Sequence, residues 1–264
     1  MGLKKLWYRG KIAIESLKGN RGMIPPRSMV FVGDGDFEAI GNEFKAYLID
    51  LAGLRPDSHV LDIGCGIGRM AVPLTSYLTR GQYRGIDIVE KGILWCERRI
   101  TPRFPNFRFV HSNIYNKLYN RRGTVKASEY AFPFPDHHFD VAFLTSVFTH
   151  MLPADVEHYT AEIARVLKPG GRCLVTFLLR NEESLKLIES GVTPARLAAT
   201  HHVEGPAWTS DPQIPEAVTA YEQGHVLDLL ARHGMTARMP IHYGSWCGRK
   251  QFLSFQDIVI ADKR

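Results

Sequence analysis

Apolar positions along this chain follow two alternating periods. Over 37–52, Phe37, Ile40, Phe44, Leu48 and Leu51 fall at helical spacing, and Gly53 stops the run. Beyond it, short apolar runs predict strands over 59–63, 82–88, 107–110, 139–144 and 172–178. Helical spacing between them predicts helices over 69–78, 91–100 and 154–166, the last closed by Lys168-Pro169-Gly170-Gly171. Strands separated by helices of this length specify βαβ units. Right-handed crossovers then build a Rossmann-like, doubly wound sheet with helices on both faces. A helix over 217–233 and strands over 236–243 and 255–260 complete a mostly parallel α/β sheet of seven strands.

The alternation breaks twice. Residues 181–221 carry Gly191, Pro194, Gly205, Pro206, Pro212 and Pro215 and read as an insertion after the fifth strand, expected to cover the ligand crevice. At the other end, 19–35 reads as a linker with Pro25-Pro26, Gly33 and Gly35. The chain therefore divides into an N-terminal segment, 1–36, and one domain, 37–264, which contains the insertion.

Charge is unevenly placed. The 264 residues carry a net charge of +6, and residues 1–30, with seven basic side chains and one acidic, account for all of it. If 3–21 is helical, Leu3, Leu6, Trp7, Ala13, Ile14 and Leu17 share an arc of roughly 120°. That makes a basic amphipathic segment, suited to a lid, to an anionic substrate or to peripheral contact of 1–30 with a membrane surface. The other 234 residues are balanced at 26 of each sign, which argues against a nucleic-acid partner. No apolar run approaches the roughly 18 residues of a membrane span. Cysteines 65, 96, 173 and 247 form no disulfide or zinc spacing, so a reducing, cytoplasmic setting is expected, without a metal.

The chemistry concentrates in Val60-Leu61-Asp62-Ile63-Gly64-Cys65-Gly66-Ile67-Gly68-Arg69, an apolar strand, three glycines at spacing two, and a helix start. Glycines admit a ligand against the backbone, and a helix N-terminus offers unpaired N–H groups. Asp87 closes the next strand 19 residues after Gly68, where a carboxylate suits a ribose diol. The dinucleotide spacing G-x-G-x-x-G is not met. A pyrophosphate would be repelled by Asp62, whereas a methionine ammonium would be attracted.

At these residues the chain resembles the class I S-adenosylmethionine-dependent methyltransferases, in particular the small-molecule enzymes grouped as types 11 and 12. The resemblance runs over about 37–180 and the end strands. It implies an enzyme that uses S-adenosylmethionine, with Asp62, Gly64, Cys65 and Gly66 around the methionine portion. It implies Asp87 and Ile88 at the ribose and adenine, Asn113-Ile114 at the adenine, and Thr145 through His150 at the active-site edge; most members carry Asp where Asn113 stands. Phe134-Pro135-Asp136-His137-His138-Phe139-Asp140 and Glu162 through Gly171 match the family's approaches to strands four and five.

The implied reaction is methylation of a small-molecule or glycan acceptor, most simply at a hydroxyl. His150 is the candidate general base; the alternative is that it caps or packs the following helix. Trp208, Tyr243 and Trp246 are candidate acceptor-pocket aromatics. Two other readings stay open: a non-catalytic S-adenosylmethionine-binding regulator, and a membrane-surface methyltransferase of a lipid-linked acceptor.

Overall fold

A computed structural model of the chain describes residues 22–31, 33 and 35–264. The basic stretch 1–21, with the amphipathic reading placed on it, lies outside the described residues.

Helix α1 (Phe37–Asp50) opens on Asp36, whose carboxylate accepts from Ala39 N–H at 2.7 Å and satisfies one orphan donor of the first turn. The alternating core follows: β1 (His59–Ile63), α2 (Ala71–Leu74), β2 (Gln82–Asp87), α3 (Glu90–Arg99), β3 (Phe107–His111), β4 (Phe139–Leu144), α4 (Pro153–Val166) and β5 (Leu167–Phe177). After β6 (Leu179–Arg180) come α5 (Glu182–Glu189), β7 (His201–Glu204), β8 (Ala207–Thr209), β9 (Thr219–Glu222), α6 (Gln223–Arg232), β10 (Met235–Ala237) and β11 (Asp257–Lys263).

The main sheet has seven strands in the order β10-β11-β5-β4-β1-β2-β3. β11 runs antiparallel to both of its neighbours, and the β5-β4-β1-β2-β3 block is parallel. Ile63 pairs with Ile86 and with Leu144, so the carboxyl ends of β1, β2 and β4 come level. One buried apolar layer gathers Leu61, Ile63, Phe148, Ile163 and Phe177. The other gathers Leu48, Val60, Leu74, Tyr83, Phe107 and Phe143. Strands buried on both faces in this way explain the near-continuous apolar runs.

Three expected elements differ. The helix expected over 69–78 shortens to α2, where the Thr75 hydroxyl donates to Val72 O at 2.7 Å and closes the turn. The first residues of the helix expected over 217–233 form β9 instead, because Thr219, Ala220 and Tyr221 are buried in pairing with β8. The strand expected over 236–243 reduces to β10, with a single bridge from His242 to Ile258; Pro240 between them lacks the donor a ladder requires.

The insertion has its own framework, a four-stranded sheet ordered β6-β9-β8-β7. Asp257, fully buried at the start of β11, clamps nearby segments together. It accepts from Leu179 N–H, Gly244 N–H and Trp246 Nε1 at 2.7 Å each and from Arg249 Nη1 at 3.0 Å. Trp246 is therefore a structural donor. Trp208 lies under the Arg180 guanidinium at 3.8 Å, and the Tyr243 hydroxyl donates to Gln223 Oε1 at 2.9 Å. None of these three aromatics lines the crevice. Their expected role in an acceptor pocket is corrected: each is taken up by a partner within or beside the insertion.

Candidate active site

The carboxyl ends of the parallel strands open into a crevice of about 880 Å³. Ligand sites form at this edge of doubly wound sheets because helix N-termini and strand-end loops converge there. Gly64 and Cys65 after β1, Asp87 and Ile88 at the end of β2, Ile114 after β3, and Thr145 and His150 after β4 all line it. Seven of the ten residues expected at the cofactor or as the base thus meet in one space.

Asp87 is the organising group. Its Oδ2 accepts from Gly66 N–H and its Oδ1 from Val89 N–H, both at 2.7 Å. Burial pushes the carboxyl up, and these two donors work against that shift. Gly66 stands behind the carboxylate rather than at the crevice wall: its contribution is the N–H that aims Asp87. Gly64 sits at φ +82°, and a Cβ there would run into Val147 Cγ2. Both the left-handed backbone and the close approach of the 145–150 segment require glycine at this position.

Asp62 is fully buried and does not reach the crevice wall. Its Oδ2 accepts from the Tyr83 hydroxyl, and its Oδ1 has no hydrogen-bond partner among the described residues. Burial pushes its carboxyl up to about 8, against the lowering effect of Tyr83. Arg69, which the sequence reading passed over, is 8 % exposed and does line the crevice. Its Nη2 donates to Gly33 O at 3.1 Å, while its Nε has no partner among the described residues. A buried acid and a buried base with unsatisfied atoms, on either side of the glycine loop in sequence, fit the two charges of an amino-acid end group. The signal for Arg69 was available in its place at the last glycine of the motif.

Asn113 requires correction as an adenine contact. It is exposed, lies off the crevice and donates through Nδ2 to Thr124 Oγ1 at 2.8 Å. The tight turn after β3, in which Ile114 N–H donates to Ser112 O, directs Ile114 and Ser112 inward and Asn113 outward. Ser112 carries a hydroxyl bonded to the Tyr130 hydroxyl at 3.0 Å, and it stands where an amide was expected.

The β4 edge is held under backbone strain. Ser146 has φ +59°, sparsely populated for a residue with a side chain. Its N–H donates to Thr176 Oγ1 at 2.8 Å, and its Oγ accepts from Gln256 Nε2 at 3.0 Å. The bend leads into the short turn Phe148–His150. His150 Nδ1 lies 2.9 Å from Glu216 O, a carbonyl of the insertion. A carbonyl only accepts, so Nδ1 carries the proton and Nε2 keeps its lone pair. Burial holds the imidazole below its ordinary value, against the backbone contacts of Glu216 and Ala217. Tyr119 packs edge-on to the ring at 5.7 Å and 73°. The insertion contributes Arg196, Leu197, Glu216, Ala217 and Val218 to the same crevice wall.

Residues 61–175 match a family profile described as a methyltransferase domain. Phthiotriol/phenolphthiotriol dimycocerosates methyltransferase 1 of Mycobacterium ulcerans is 33% identical over 135 residues, which are 51% of this chain and 41% of that protein. The fatty-acid O-methyltransferase of Mycolicibacterium smegmatis is 32% identical over 117 residues, 44% of this chain and 36% of that protein. The aligned stretch thus spans less than half the length of either relative. Among solved structures, magnesium protoporphyrin IX methyltransferase of Synechocystis PCC 6803, with bound SAH, superposes with a TM-score of 0.53 at 14% identity. That superposition covers 88% of this chain and 90% of the other, a likeness of fold. The central strands of the chain thus match a methyltransferase-domain profile, and its sheet shares the fold of that methyltransferase structure.

Proposed function

We propose that this chain transfers the methyl group of S-adenosylmethionine to a hydroxyl of a small-molecule acceptor. The observation that carries the reading is His150: a neutral imidazole at the crevice wall, with its proton fixed on Nδ1 by Glu216 O. The cofactor supplies an electrophilic methyl on a sulfonium, and the chain's task is to align, desolvate and deprotonate. Asp87 takes the ribose hydroxyls on carboxylate oxygens already oriented by Gly66 and Val89 N–H. Ile88 and Ile114 flank the adenine, and Gly64 and Cys65 give close backbone approach. Arg69 holds the carboxylate of the methionine end, and the buried Asp62 carboxyl acts on its ammonium through the field rather than by contact. His150 Nε2 removes the acceptor's proton as the oxygen attacks.

The crevice runs on to His150, Arg196 and Glu216, leaving space for an acceptor beyond the residues assigned to the cofactor. That space favours an enzyme over a regulator that binds the cofactor alone. Two relatives named above act, by their names, on a phthiotriol dimycocerosate and on a fatty acid, which supports an apolar acceptor over a glycan. Incubating the purified chain with methyl-labelled cofactor and a panel of hydroxyl-bearing lipids, polyketides and sugars tests the reading. Label in a methyl ether or ester, lost in His150→Ala, is the expected result. Tight cofactor binding with no label in any acceptor overturns it.

A further inference from the structure

Among the described residues, nine large hydrophobic side chains are exposed, and six of them fall in two short segments: Tyr115, Leu118 and Tyr119 in one, Phe252, Leu253 and Phe255 in the other. The first segment follows β3, and the second leads into β11, which runs antiparallel to β5. Both therefore emerge at the carboxyl edge of the parallel strands, where the crevice opens. Tyr115 and Tyr119 line the crevice from one segment and Phe255 from the other, so the two stand around a single entrance.

Charge in these segments has one sign. Residues 113–128 contain Lys117, Arg121, Arg122 and Lys126 with no acidic residue, and 248–256 contain Arg249 and Lys250 with none. Lys117, Arg121, Arg122 and Lys250 are exposed. Lys126 is paired with Glu129 at 3.0 Å, and Arg249 is buried against Asp257.

We propose that these two segments dock the entrance onto an anionic lipid surface, and that an apolar acceptor enters the crevice from that surface. Aromatic and aliphatic side chains enter the headgroup and acyl boundary, while the basic side chains beside them meet lipid phosphates. Isolated exposed apolar residues need no explanation, but a patch concentrated on two sides of one opening does. A rigid protein bridging both segments would close the entrance. A fluid lipid layer covers both and still delivers an acceptor without carrying it through water. The delivery step rests on the methyl-transfer reading, and the docking does not.

The test uses the full chain in vesicle flotation, on phosphatidylcholine alone and on phosphatidylcholine mixed with phosphatidylglycerol. Two variants avoid every residue placed in the crevice: Leu118→Ser with Phe252→Ser and Leu253→Ser, and Arg122→Glu with Lys250→Glu. Wild type is expected to float with the mixed vesicles. The apolar variant should lose at least about tenfold in partitioning, and the charge variant about tenfold on the anionic vesicles only. Both should keep wild-type cofactor affinity by calorimetry, and the charge variant removes no apolar contact. Wild type failing to float overturns the proposal and leaves the patch to a protein partner. Both variants floating like wild type overturn it too, placing any membrane contact elsewhere, as in residues 1–30. Flotation without methylation of any embedded acceptor sinks the methyl-transfer reading alone; methylation without flotation sinks this one alone.

Discussion

His150 and Glu216, 66 residues apart in sequence, are joined by a 2.9 Å hydrogen bond from the ring Nδ1 to the main-chain carbonyl oxygen. The bond crosses from the end of the seven-stranded sheet to the insertion and fixes the tautomer of the proposed base. His150→Ala is expected to lower kcat by about 10²- to 10⁴-fold with cofactor affinity unchanged. Burial lowers the imidazole's pKa, so the base stays neutral down to a lower pH. The acidic limb of kcat should accordingly lie below the ordinary histidine value of about 6.5. A limb at or above that value, or an unchanged kcat, removes the role and leaves His150 as a packing residue.

Asp87 is bonded to two main-chain N–H groups and faces the crevice. Asp87→Ala should weaken S-adenosylmethionine binding by about 1 to 3 kcal/mol, measured by titration calorimetry, because the ribose hydroxyls lose their acceptor in a desolvated site. Equal affinity in wild type and variant contradicts the assignment.

Burial raises the Asp62 carboxyl to about 8 from an ordinary 3.8. Between those two values the folded chain binds a proton that the unfolded chain has released, so this group's contribution makes stability fall as pH rises through that window. A methionine ammonium brought near would reverse the shift and ionise the carboxyl. Cofactor binding at pH 7 is expected to release about one proton, read from calorimetry in buffers of different ionisation enthalpy. Asp62→Asn should abolish that release. No release in the wild type places Asp62 outside the cofactor site.

Arg69 presents a buried Nε without a partner among the described residues. Arg69→Met should weaken S-adenosylmethionine binding by about 1.5 to 3 kcal/mol while leaving binding of adenosine alone unchanged, because only the methionine carboxylate meets the guanidinium. Equal losses for both ligands point instead to collapse of the glycine loop.

Asn113 should be silent. It is exposed and bonded to Thr124, so Asn113→Ala is expected to change cofactor affinity by less than about 0.5 kcal/mol. A loss beyond about 1 kcal/mol would restore the adenine contact.

The sequence by itself determined the layered α/β architecture, because strand and helix periods alternate from His59 to Phe177 and chain direction follows from the crossovers. It also placed the Gly64 loop and Asp87, since a glycine run after one strand and an acid ending the next need only local geometry to meet. Tertiary structure decided the rest. Asn113 turns outward and Ile114 inward because of a tight turn whose direction no periodicity encodes. Residues 219–222 form a strand because β8 lies beside them, and pairing across an insertion is a long-range contact. The tautomer of His150, the isolation of Asp62 from the crevice wall and the recruitment of Trp246 by Asp257 depend on partners 66, 21 and 11 residues away. Which groups such partners bury and bond sets each side chain's charge and direction, and that is settled only when the chain closes on itself.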